Sequence, residues 1–292
     1  MPASPDLAPV RARIRSAIAG PSGHPKSPLP ASAWKWTTAG QLLRARLLAR
    51  LSIARRVPPV RWQTFAAAIE LVHAASLLHD DVIDGALLRR HAPALWTLYG
   101  PRLAILAGDY LLAAAFDLLA PYRTPLAAML AAARTTCVTE MQRELSPPPS
   151  APPRRASLLD HARGKTGPLF SLAAAGLLPP SPRRTFWEQT GSDSGLPYHL
   201  ADDLSDSDET TGQTPHRDTA RHLPPTASFS PPADLRARLD ALSTSVATSP
   251  IPTAAERTAF SAYLAEDFIP SLRPLAPQPP RRSPSRKARP RQ

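Results

Sequence analysis

An all-α domain is predicted for this chain by three features of its sequence. Aromatic residues are scarce, at 6% of 292, which disfavours sheet. Ala and Leu dominate the stretches that have helical period, and both are strong helix formers. A hydrophobic content of 43% can fill a core, while 37 prolines divide the chain into helices separated by irregular segments.

Residues 1–37 read as an irregular N-terminal lead-in, with Pro, Gly and Ser concentrated over 15–35. Periodicity begins at Thr38, where "TTAGQLLRARLLARLSIARR" alternates Leu pairs with Arg. "VPPVRW" breaks it, and Val60 to His79 predicts a long helix continuing toward Asp84. Two further helices are predicted over 100–120 and 124–145, the second ended by "SPPPSAPP" at 146–153. Residues 155–178 predict a helix with a glycine-containing bend at its polar start, and a segment from Thr185 to Asp203 follows "PPSPRR". Beyond Ser205 the chain is polar and irregular to Pro231, after which "ADLRARLDALSTSVA" and "TAAERTAFSAYLAEDFI" predict two last helices. The helical domain is thus expected over 38–270, with a basic, disordered tail over 271–292.

The net charge of +12 belongs largely to that tail, which holds seven Lys and Arg and no acid, leaving +5 for the other 270 residues. A charge so placed argues against a specific nucleic-acid partner. One cysteine, Cys137, excludes an internal disulfide framework and a cysteine metal cluster, in keeping with a reducing compartment and a cytoplasmic location. The first 20 residues lack the continuous apolar stretch of a secretion signal. The most apolar run, 103–120, is interrupted by Asp109 and Asp117 and reads as a buried helix, so membrane contact is at most peripheral.

One pattern, Asp-Asp-x-x-Asp, occurs twice: "DDVID" at 80–84 and "DDLSD" at 202–206. On a helix, positions four apart share a face about 6 Å apart, so Asp80 with Asp84, and Asp202 with Asp206, are placed to hold a divalent cation jointly. Asp81 and Asp203 either ligate too or stand behind the ligands. Hard oxygen donors favour Mg2+, above all where a phosphate completes the coordination. A single acidic cluster reads equally well as a solvated helix face. Two clusters, each ending an apolar approach ("AASLLH" and "LPYHLA"), suit a substrate with a charged head and an apolar body. Arg89 and Arg90 fit that picture, because guanidinium groups grip diphosphate oxygens through paired hydrogen bonds.

These residues resemble the trans-polyprenyl diphosphate synthase family. "ELVHAASLLHDDVIDGALLRR" is similar to its first aspartate-rich motif and following arginines, "YHLADDLSD" to its second, and "GKTGPLF" at 164–170 to the Lys-Thr motif between them. The resemblance covers roughly residues 38–270. It implies the isoprenoid synthase fold, a helical bundle around a deep central cavity, and a homodimer, with a heteromer as the other arrangement. It also implies head-to-tail condensation of isopentenyl diphosphate with an allylic prenyl diphosphate. Carried over, Asp80, Asp81, Asp84, Asp202, Asp203 and Asp206 hold Mg2+, and Arg89 and Lys165 assist the allylic diphosphate. Arg44, His73 and Arg90 hold isopentenyl diphosphate, and Thr166 and His199 position groups near the reacting carbon. Ala75 and Ser76, small residues just before Asp80, leave room for a growing chain, which implies a product of C20 or longer.

Several positions depart from the family pattern. In "AGQLLRA", 39–45, Gln41 and Ala45 replace a lysine and a proline while Arg44 remains. Gln213 and His222 stand at lysine positions of a later loop where Arg217 or Arg221 can compensate, His91 replaces a glycine, and Pro197 interrupts the helix approaching Asp202. A neutral amide hydrogen-bonds a phosphate without supplying charge. Two other classes therefore stay open: a cyclase-like or altered-coupling enzyme that ionises a diphosphate, and a noncatalytic partner subunit of a prenyl synthase.

Overall fold

The computed structural model describes residues 4–20, 27–34, 40–89, 92–146, 155–206 and 231–272; the side chains of 155–158, 202–206 and 231–234 lie outside that description. In chain order the helices are α1 (Ala8–Ala19), α2 (Leu43–Ala54), α3 (Pro59–Ile83), α4 (Leu95–Tyr99), α5 (Pro101–Leu119), α6 (Arg123–Leu145), α7 (Arg155–Ala175), α8 (Pro182–Asp206), α9 (Pro231–Thr248) and α10 (Ala254–Ala262). A π-helical turn, Tyr263–Phe268, continues α10. The only sheet among the described residues is a two-residue hairpin in which β1 (Leu88–Arg89) pairs antiparallel with β2 (Ala92–Pro93). The predicted all-α class is the observed one.

Helix α3 is the centre of the bundle, packed against α1, α2, α5, α6 and α7. Its apolar residues surround it: Phe65, Ala66, Ala67, Ala68, Ile69, Leu71, Ala75 and Leu78 are all buried. A helix apolar on nearly every side must lie inside, as this composition requires. Pro59 sits at its first turn, where a missing N–H costs nothing.

The N-terminal lead-in is corrected by the structure. Residues 8–19 form a helix whose Val10, Ile14, Ala17 and Ile18 are buried on one face, packed on α3 and α5. Pro9 opens it and Gly20, at φ +80°, ends it. The hydroxyl of Tyr110 on α5 donates to the Ile18 carbonyl at 2.8 Å, and Trp34 lies 6.1 Å from the Tyr110 ring. The expected break at Pro197 is corrected as well, since α8 runs unbroken from Pro182 to Asp206 with Pro197 inside it. One lost hydrogen bond there is offset by burial of Trp187, Leu196, Leu200 and Ala201 along the same helix. The segments 147–154 and 207–230 and the basic tail from 273 lie outside the described residues.

The arginines that alternate with Leu in α2 face inward to acids near the C-terminal end of the domain. Arg46 and Arg50 both hold Asp267, and Arg50 also holds Glu266 at 2.7 Å. Arg55 donates to Glu256 at 2.7 Å, where Arg183 joins it at 2.9 Å. Glu256 is fully buried and completes a capping box with Thr253 at the start of α10. Burial opposes its charge, but the Thr253 backbone N–H and the Arg183 and Arg55 guanidiniums outweigh this and hold its carboxyl below the usual value of 4.5. Burial also pulls Arg55 downward; three donors converging on one carboxylate nevertheless fix the group as an ion pair.

A carboxylate depressed in the folded state stabilises above its unfolded value and loses that contribution as pH falls through the folded one. Glu256→Gln is therefore expected to flatten the acid side of a urea-midpoint profile. At pH 7 it should cost about 3–5 kcal/mol by leaving buried guanidinium charge uncompensated. Urea unfolding between pH 3 and 7 checks both, and an unaltered acid limb would remove Glu256 from this role.

Candidate active site

Helix α3 is exposed at its first turn (Pro59, Val60 and Arg61) and along part of its C-terminal half. There His73, Ser76, Leu77, Asp80 and the C-cap Asp84, spaced three or four residues apart across the stripe, are all partly exposed, with His79, Val82 and Ile83 exposed to its side. This spacing is a single helix face. It opens toward α6 and α7, which cross closely because Gly164 lies against Thr139: a Cβ at Gly164 would sit 2.4 Å from the Thr139 hydroxyl. The next residues along each helix, Lys165 and Glu140, are thereby brought to the aspartates.

Lys165 Nζ lies 3.5 Å from Asp80 Oδ2 and 3.5 Å from Glu140 Oε2. Arg143 Nη2 lies 3.7 Å from Asp84 Oδ1, while its Nη1 donates to Glu140 Oε2 at 3.1 Å. His161, one turn before Lys165 on α7, places Nε2 3.4 Å from Glu140 Oε1. Burial pushes the Glu140 carboxyl up from its usual value, against the pull of Lys165 and Arg143. Lys165 is also raised: burial works to lower it, and the charges of Asp80, Glu140 and Asp84 prevail, so it carries its proton throughout the neutral range.

Helices α7 and α8 meet at another close approach, where a Cβ on Gly195 would lie 3.1 Å from the Gly167 backbone nitrogen. Beside it, Thr166 Oγ1 and His199 Nδ1 share a hydrogen bond of 3.2 Å, and the His199 ring stands 6.2 Å from that of His161. Helix α8 then runs on through Asp202, Asp203 and Asp206, which ends it on the second aspartate motif. The side chains of those three residues lie outside the described residues, as do Arg90, His91, Gln213, Arg217, Arg221 and His222.

Two of the predicted residues, Asp81 and Ala75, lie off the open stripe. Asp81 is 2% exposed and is held by Arg89, whose Nε donates to Asp81 Oδ1 at 2.9 Å; it faces away from the Asp80 and Asp84 side. Adjacent residues on a helix point about 100° apart, so Asp81 cannot share the face of Asp80. Ala75, expected beside the growing chain, is fully buried in the core, and Ser76 is the one on the open stripe, its hydroxyl bonded to the His73 carbonyl at 2.9 Å. Five positions rotate a side chain away from Asp80, and four return it.

Gln41 is exposed. Arg44 is only 5% exposed, its guanidinium 4.6 Å above the Phe170 ring and 5.7 Å from that of Tyr198, with Nε lacking a hydrogen-bond partner. The chain enters α2 through Leu42 in the left-handed region, φ +53°, a conformation costly for a branched residue. Glu70 of α3 then caps the helix by accepting from the Ala45 N–H at 2.9 Å.

Among the described residues, no three acidic, imidazole or thiol groups converge as a ready metal centre. Asp80 and Asp84 supply a pair of hard oxygen donors on one face, which fits a Mg2+-like cation whose coordination is completed by other ligands. Glu140, Arg143 and His161 were not singled out by sequence reasoning. The signal that finds them is helical spacing, for His161 lies four residues before Lys165 and Glu140 three before Arg143.

Residues 31–222 match the family model of polyprenyl synthetase, and this chain belongs to that family. It is 31% identical over 217 residues to the geranylgeranyl diphosphate synthase of Cereibacter sphaeroides, covering 68% of this chain and 72% of that protein. It is 35% identical over 147 residues to the (2E,6E)-farnesyl diphosphate synthase of Mycobacterium tuberculosis, where the match covers 48% of this chain and 41% of the mycobacterial one. The chain thus spans less than half the length of that relative. In fold it is similar to the Caulobacter crescentus polyprenyl synthase complexed with calcium and isoprenyl diphosphate, with a TM-score of 0.70, 22% identity, and coverage of 92% of this chain and 98% of that one.

The stack of Arg44 on Phe170 and Tyr198 has a measurable worth. Arg44→Lys keeps the charge and loses the planar contact. It is expected to lower unfolding stability by about 1–2 kcal/mol, read from urea melts at constant m-value, and an unchanged midpoint would argue that the stack contributes nothing.

Proposed function

We propose that this protein condenses isopentenyl diphosphate head-to-tail with an allylic prenyl diphosphate. One observation carries the reading: a partly exposed stripe at the C-terminal end of the central helix leads from Ser76 and Leu77 to Asp80 and Asp84, and meets Lys165 there. An apolar approach ending in paired carboxylates and a cation suits a greasy chain with a diphosphate head.

Asp80 and Asp84, with Asp202, Asp203 and Asp206, are the residues that would hold Mg2+, which supplies charge to neutralise a departing diphosphate. Lys165 offers the same diphosphate a proton-bearing ammonium, fixed by Asp80 and Glu140. Arg44, His73 and Arg90 are assigned to isopentenyl diphosphate, with Gln41 and Gln213 as neutral hydrogen-bond donors. Arg89 steadies the first motif through Asp81. Thr166 and His199, joined to one another, stand where they would orient the isopentenyl double bond toward the allylic carbon. The apolar helices around the stripe keep water from the allylic cation. The proton lost at the end passes to the released diphosphate, so no carboxylate of the protein need act as base.

Exposed Ile105 and Leu106 on α5 and Leu130, Val138 and Met141 on α6 support a homodimer. No helix among the described residues is long and apolar enough to cross a membrane. A second reading, a diphosphate-ionising enzyme with altered coupling, is favoured by the neutral Gln41 and by the burial of Arg44 beneath aromatic rings.

Two measurements check these assignments. Purified protein with Mg2+, labelled isopentenyl diphosphate and allylic primers of increasing length is expected to yield labelled polyprenyl diphosphates. Asp80→Asn should reduce that yield by at least 100-fold, on the order of 3 kcal/mol of transition-state stabilisation. Primer consumption without extension would move the function to the second reading. Ser76→Phe is expected to shift products from C20 or longer to shorter chains with kcat within about tenfold, and an unchanged product ladder would remove Ser76 from the chain path.

A further inference from the structure

We propose that Arg11, on the helix α1 that precedes the matched residues 31–222, is a positioning residue for the isopentenyl diphosphate end of the site. The inference rests on the reading of Gln41 and Arg44 as holders of that diphosphate. Both belong to the bend Gly40–Ala45 that leads into α2, and the backbone of this bend is gripped from three helices. Arg11 Nη2 of α1 donates to the Gly40 carbonyl at 3.1 Å, and Arg46 Nε of α2 donates to the Gln41 carbonyl at 2.9 Å. Glu70 Oε1 of α3 accepts from the Ala45 N–H at 2.9 Å. Arg11 thus holds the head of the bend, just before the residues assigned to substrate.

A bend of this kind needs holding. Leu42 sits in the left-handed region, φ +53°, a conformation that persists in a residue with a side chain only where its surroundings over-determine it. Upstream of Leu42 the grip comes from Arg11 and Arg46, and α1 can exert it because Val10 and Ile14, on either side of Arg11, are buried where the helix packs on α3 and α5. Burial first and then the charge of Arg46 lower the Arg11 pKa, while Glu70 opposes them, so the three gripping side chains lie within electrostatic reach of one another. Downstream, Arg44 Nε is buried with no hydrogen-bond partner, a donor that an arriving diphosphate can satisfy. Where that donor points depends on the first turn of α2, and the bend sets how that turn begins. Asp80, Asp84 and Lys165, at the allylic end, lie on α3 and α7, and no described contact ties Arg11 to them. Loss of the Arg11 hold therefore loosens one end of the site and leaves the other in place.

The test is steady-state kinetics of the full chain with labelled isopentenyl diphosphate and the allylic primer it extends fastest, each varied at saturating levels of the other, with melting temperatures measured in parallel. Arg11→Met keeps the apolar stem and removes the donors. It is expected to raise KM for isopentenyl diphosphate about 5- to 20-fold, while KM for the allylic primer and kcat stay within about twofold. Arg11→Lys can restore one hydrogen bond to the Gly40 carbonyl and is expected to bring KM back to within about threefold of the unaltered value. Arg15→Met makes the same charge change at an exposed position one turn along α1 and should leave every constant within about twofold. An isopentenyl diphosphate KM within about twofold in Arg11→Met, an equal rise in both KM values, or a loss matched by Arg15→Met would overturn the inference and leave the proposed function standing. So would an Arg11→Met chain that fails to fold, because a hold on one carbonyl of a bend does not support the whole bundle. Absence of labelled product from the unaltered protein would overturn the proposed function and this inference together.

Discussion

Two carboxylates one helical turn apart, at the end of a largely buried helix, repel one another across a medium of low dielectric constant. Asp80 and Asp84 stand in that position, and the arrangement of α6 and α7 is the answer to it. Lys165 and Arg143 each approach one aspartate, and Glu140 binds the two cations together. For these groups to meet, three helices must cross closely, and that in turn requires Gly164 against Thr139 and Gly195 against Gly167. The glycine before Lys165 and the charges after it are parts of one requirement.

The remainder of the bundle keeps α3 where this can happen. Inward-facing arginines on α2 and at its C-cap, Arg55, fasten it to Glu256, Glu266 and Asp267, so the first and last parts of the described domain close on one another. Glu70 joins α3 to the first turn of α2, which is the turn that carries Arg44. Position of the site and stability of the fold are therefore borne by different charges. One set is buried and paired within the protein, and the other lies along a stripe left open.

Much of the fold was legible because its helices have clear period and proline ends, as in α3, α5 and α6. Helix α1 was not, since Arg11, Arg13 and Arg15 alternate through it and the Pro and Gly that follow read as loop. Its four apolar contacts become visible only against α3 and α5. The hairpin at Leu88 and Ala92 has strands too short to show any period. At the site, repeated aspartates pointed to α3 and to the end of α8, and the Lys-Thr pair to α7. The difference between Asp80 and Asp81, or between Ser76 and Ala75, is a rotation about the α3 axis and depends on which side the neighbouring helices leave open. Glu140 and Arg143 were hidden in a helix with charges on several faces, where only contact with α7 singles out the inner one.

The described charges at the stripe have a consequence for the sequence of events. Asp80, Asp84 and Glu140 formally carry three negative charges and Lys165 with Arg143 two positive ones, so these five groups sum to one negative charge. In that condition they attract a cation and repel an anion. On the proposed function, a divalent ion bound there would reverse the sign, and the site that repels a bare diphosphate would then draw one in. The charge count would thus set the order of arrival in that reaction: metal first, diphosphate second.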